Sequence, residues 1–151
     1  MIRPGSHDPV SNAAPTKGGL MATLREVIRT DKASVSRFPI SQGVKFGNLI
    51  FTAGITARDP KTGRLVADEI RAQARVVFES IKGIIEAGGS SMDQVLFVRC
   101  YLSRFDEDFA GYNEVYQEFF PRDYPARAVY PVDLGPGFRL EVEVVAGVPG
   151  A

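Results

Sequence analysis

Along the chain the apolar positions switch between a period of two and steps of three and four, and each switch marks an element. Ser41–Lys45 and Leu49–Ala53 read as two strands of a hairpin folded around Phe46-Gly47-Asn48, because LIFTA is apolar and β-branched. Asp59-Pro60-Lys61-Thr62-Gly63 is a turn by composition. From Asp68, placed to cap it, a helix runs to about Ala87 with Ile70, Ala74, Val77, Ile81, Ile84 and Ile85 on one face. Gly88-Gly89 ends it, and Gly83 inside it implies a close approach, most simply to a sheet. Val95–Leu102 is a nearly continuous apolar run, as expected of a central strand covered on both faces. Asp106 is placed to cap a second helix through Phe119, with Phe109, Tyr112, Tyr116 and Phe119 as its stripe and Pro121 as its stop. Ala126–Val132 and Arg139–Val145 are the last strands; Leu140, Val142 and Val144 face one way, Glu141 and Glu143 the other.

That order predicts an α+β fold, a mixed β-sheet with two helices packed on one face. Two helices cover only one face, so the apolar residues left on the other imply a partner subunit and an oligomer. Residues 1–20 are rich in Gly, Pro, Ser and Asn without periodicity and read as a disordered tail, in part an expression leftover, with Met21 an alternative start. Residues 21–36 carry a weak pattern that fits an edge strand. The expected organisation is a disordered or weakly ordered extension over 1–36 and one folded domain over 37–151.

Charge and composition narrow the chemistry. Lys plus Arg and Asp plus Glu number 18 each, so the net charge is zero and no basic stripe marks a nucleic-acid partner. No apolar run reaches the ~20 residues that span a bilayer, and no secretory signal opens the chain, so a cytoplasmic protein is expected. Cys100 is the single cysteine, which removes disulfides and thiolate metal sites. His7, the single histidine, falls in the tail, so Ser-His-Asp, Cys-His and histidine-ligated zinc chemistry have nothing to build on. What remains is carboxylates, an arginine, hydroxyls, backbone groups and water.

Four segments in order then resemble one family. Phe38-Pro39-Ile40-Ser41-Gln42-Gly43-Val44, Asn48-Leu49-Ile50-Phe51-Thr52-Ala53-Gly54, the helix Tyr112-Asn113-Glu114-Val115-Tyr116-Gln117-Glu118-Phe119-Phe120, and Pro125-Ala126-Arg127 followed by Leu140-Glu141-Val142 resemble the motifs of RidA/YjgF-type proteins over residues 37–149. The resemblance implies a chorismate-mutase-like fold assembled as a homotrimer with active sites between subunits. It also implies hydrolytic release of ammonia from reactive 2-enamine or 2-imine carboxylates, without metal or organic cofactor. Arg127 matches the family's substrate-carboxylate arginine, and Glu141 its water-positioning acid.

From the residues alone each position keeps a plainer alternative. Arg127 offers a bidentate fork to a carboxylate, or forms a structural ion pair with Glu141 or Glu143. Glu141 orients water as a base, or belongs to a solvated face. Gly54 lets a ligand approach the backbone, or ends a strand. Asn113 reaches a neighbouring subunit's pocket, or bonds locally. Three departures, Ile40, Ile55 and Val129 where many members carry polar residues, point to a more apolar pocket, with Ile40 and Val129 lining it. A pathway deaminase acting on an aminomuconate-like acid and a non-catalytic metabolite-binding trimer remain alternative readings, and Cys100 reads as a buried small hydrophobe.

Overall fold

The computed structural model describes residues 24–150. Seven strands form one mixed sheet: β1 (Arg25–Ile28), β2 (Gly43–Phe46), β3 (Leu49–Thr52), β4 (Ile55–Thr56), β5 (Val95–Leu102), β6 (Ala126–Pro131) and β7 (Leu140–Gly147). Their order is β1-β2-β3-β7-β5-β6, with β4 paired to β7 beside that path. β5 and β6 are parallel and every other pair is antiparallel. The helices are α1 (Ile70–Ala87) and α2 (Phe105–Phe119). None among the described residues is long and apolar enough to cross a membrane.

Period-two alternation sorts the sheet into two unlike faces. Ile50, Val98, Cys100, Leu102, Leu140, Val142 and Val144 turn toward the helices and are buried. The six apolar α1 positions expected to face the core are all buried there, and Phe78 joins them, packed against Tyr112, Tyr116, Phe119 and Phe120. The opposite face holds Phe51, Phe97, Arg99, Tyr101, Glu141, Glu143 and Val145, and no helix covers it. Phe51 is 46% and Tyr130 48% exposed, and Arg99 pairs with Glu143 across the strands. β5 is therefore buried on one side only within the chain, which leaves its other face for the partner subunit that its apolar run implies.

Four expectations about local structure need amending. The first concerns the start of the domain. β1 lies in the sheet, and the segment after it is pinned by Gln42, whose amide accepts from Thr30 N at 2.9 Å and donates to Thr30 O at 3.0 Å and Ala33 O at 2.9 Å. Residues 25–36 therefore belong to the folded unit and are not a weakly ordered extension. Residues 1–20, read as a disordered tail, lie outside the described residues. Asp68 does not cap α1: Glu69 does, accepting from Arg71 N at 2.9 Å and Ala72 N at 2.8 Å, while Asp68 is drawn to Arg139. Nor does Asp106 cap α2, which starts one residue earlier with no side-chain cap, leaving Asp106, Glu107 and Asp108 in its first turn where their charge suits the helix dipole. Gly83 does mark a close approach, but to the Lys32 side chain rather than the sheet: a Cβ there would lie 2.5 Å from Lys32 Cβ in the pinned segment.

Candidate functional site

Glu141 sits on the bare face of β7, directly opposite Thr56 of β4. Between β4, the 34–42 segment and the 133–138 loop lies a cleft of about 630 Å³ lined by Ile40, Gly54, Thr56, Arg58, Phe138 and Glu141 among others, within the size range of small-molecule sites. Gly54 is there for space. A Cβ at that position would lie 2.7 Å from Glu141 Oε1, so any side chain would displace the carboxylate. Half-buried and beside Glu143, the Glu141 carboxyl is raised above its ordinary range, chiefly by burial and secondarily by the neighbouring charge. A carboxylate held this way is a better proton acceptor than an exposed one.

Arg127 occupies the other face. In the parallel β5–β6 register it stands opposite Val98, and Val129 opposite Cys100, so both turn toward the helix layer at the sheet's edge. Its guanidinium lies over the Tyr116 ring at 4.5 Å and donates from Nη1 to Asn113 Oδ1 at 2.6 Å. These contacts orient the guanidinium plane without consuming its charge, and among the described residues it has no carboxylate partner. The alternative ion pair with Glu141 or Glu143 does not form. Asn113 thus bonds to Arg127 in its own chain.

The chain brings Ile40, Gly54 and Glu141 together, and separately Arg127 with Asn113; it does not bring the two groups to one cavity. Of the three apolar departures only Ile40, 58% exposed, stands at the cleft with its side chain open. Ile55 borders the cleft too but pairs with Val142 and packs against the core, as does Val129, which does not line the cleft. Beside these apolar residues the cleft carries Arg58, Thr56 and Gln42. Arg58 was missed because it precedes a stretch legible only as a turn. Burial pushes the Cys100 thiol up to about 12, so it stays protonated near neutrality and is no nucleophile. Among the described residues no group of acids, cysteines or histidines is clustered to hold a metal ion.

The comparisons agree with this architecture. The model of the Endoribonuclease L-PSP family matches residues 30–148. A RutC family protein of Pyrococcus horikoshii is 43% identical over 82% of this chain and 98% of its own length. A 2-iminobutanoate/2-iminopropanoate deaminase of Dermatophagoides farinae is 32% identical over 80% of this chain and 94% of its own. The crystal structure of Escherichia coli TdcF with bound serine superposes with a TM-score of 0.75 at 32% identity, covering 81% of this chain and 98% of that one. The chain belongs to the Endoribonuclease L-PSP family, the RidA/YjgF group that its four sequence segments resemble, which includes proteins named as reactive intermediate deaminases.

Proposed function

We propose that this protein is a cofactor-independent deaminase that hydrolyses 2-imine and 2-enamine carboxylates to 2-keto acids and ammonia, in clefts between the subunits of a homotrimer. One observation carries the reading. Arg127 and Glu141 lie on opposite faces of the same sheet, each accessible, so only a second copy can bring the Arg127 guanidinium to the Glu141 cleft. A head-to-tail contact that repeats around a closed ring makes one such site per interface and also covers the bare aromatic face.

In that site Arg127 of one protomer grips the substrate carboxylate with the edge of its fork that Asn113 leaves open. Glu141 of the next takes a proton from water as the oxygen adds to the C=N carbon, giving a carbinolamine. The same carboxyl returns the proton to nitrogen and, as the C–N bond breaks, takes the hydroxyl proton, so that ammonia leaves and the C=O of the keto acid forms. An enamine enters after protonation at carbon.

Ammonia release from freshly generated 2-iminobutanoate tests this, measured as kcat/KM against pH. The acid limb is expected to lie above the ordinary carboxylate range, because Glu141 must be ionised and burial raises its pKa. Glu141→Gln should abolish most of the activity and the limb with it. A group raised in the folded state contributes stability below its unfolded value and loses it as pH rises through the folded one, so this variant should melt no lower than wild type at neutral pH. Hydrolysis no faster than in buffer would defeat the proposal.

A further inference from the structure

Arg58 is a second guanidinium in the Glu141 cleft that the reaction above leaves unused. It follows Thr56, the residue facing Glu141, by two positions, and buried Ala57 between them turns Arg58 back to the cleft side. Its plane lies over the Phe138 ring at 5.1 Å, and Nη1 donates to Gly63 O at 3.0 Å. Its backbone is held too, by a bridge to Leu65 and by Asp59 N donating to Arg64 O at 2.8 Å. The cleft's other acid besides Glu141 is Asp133, and it is spent on the Gly135 amide at 2.9 Å rather than on Arg58. Among the described residues Arg58 makes no ion pair. Arg37 also borders the cleft, but it stacks only on Phe38, itself 65% exposed. A stacked, hydrogen-bonded guanidinium with an unfilled edge is preorganised for a planar anion.

We propose that Arg58 is a specificity-determining residue that holds a second carboxylate, so that the preferred substrates are short dicarboxylic imines or enamines. The inference rests on the deaminase reading of the cleft. One carboxylate goes to Arg127 of the neighbouring subunit, the reacting carbon lies at Glu141, and the second carboxylate reaches Arg58.

Two arms keep this separable from the deaminase reading. In the first, kcat/KM is measured for 2-iminoglutarate and 2-iminobutanoate with wild type and Arg58→Ala. The wild-type ratio should favour the dicarboxylic imine, and the substitution should lower that ratio about ten- to a hundredfold, the effect of one charge-assisted pair. In the second, calorimetry measures Kd for the keto acids 2-oxoglutarate and 2-oxobutanoate, which needs no turnover. A preference for 2-oxoglutarate lost in Arg58→Ala would support the subsite even if no imine were hydrolysed. A wild type indifferent to the second carboxylate, or a ratio unmoved by the substitution, overturns it.

Discussion

Arg139→Met is expected to cost about 3–5 kcal/mol, enough to lower Tm by ~10 °C or more, because it leaves a fully buried carboxylate without its partner. Asp108 has no exposure and accepts from Arg139 Nε at 2.9 Å and Nη2 at 2.6 Å. Arg139 also reaches Asp68 at 3.1 Å and Glu107 at 3.0 Å, while its backbone N–H donates to Gln73 Oε1 at 2.9 Å. The cluster ties the start of β7 to the N-terminal ends of both helices, two residues before Glu141. Thermal and urea melts of Arg139→Met beside Arg139→Met/Asp108→Leu separate two accounts. If the loss comes from the stranded charge, the double variant regains most of it. A single variant as stable as wild type would show that the buried pair contributes nothing.

Arg127→Lys should lower kcat/KM for 2-imino acids about ten- to a hundredfold while the fold and assembly persist. Lysine keeps the charge but cannot lie flat over Tyr116, bond to Asn113 and present a fork at once. Misplacement of the carboxylate also misplaces the C=N carbon relative to Glu141, which can deepen the loss. Carboxylate-free imines, poor substrates from the outset, should lose less. Melting should hardly change, since Arg127 is exposed on the edge strand β6 and partners no acid among the described residues. Wild-type turnover by a folded Arg127→Lys trimer would remove this arginine from the site.

How much of this was legible depended on whether the information was local. α1 and α2 follow from steps of three and four, and β5 begins and ends where its apolar run does, at Val95 and Leu102. The two faces of β7 follow from alternation, which placed Glu141 away from the core. Arg127's face could not be read, because it depends on the parallel register of β6 on β5, a pairing across 15 residues of helix and two turns with no local mark. β4 is two residues long, too short to show a period, yet it supplies Thr56 opposite Glu141. The choice of Glu69 over Asp68 as cap was settled by Arg139, some 70 residues away, and so was the fate of Asp108. Among the site residues, Gly54 could be suspected from its strand-end place, but its reason, the Glu141 carboxylate against its Cα, is tertiary.

The central claim is that each site takes Arg127 from one subunit and Glu141 from the next, and subunit complementation tests it most directly. Arg127→Ala and Glu141→Gln chains, each nearly inactive alone, are co-expressed with different tags, the mixed oligomers are isolated, and ammonia release is measured. In each mixed trimer one interface of the ring joins an intact Arg127 to an intact Glu141, so activity should return to roughly a third of wild type. Mixed oligomers no more active than their parents would contradict the account, because they would place both residues' work within a single chain.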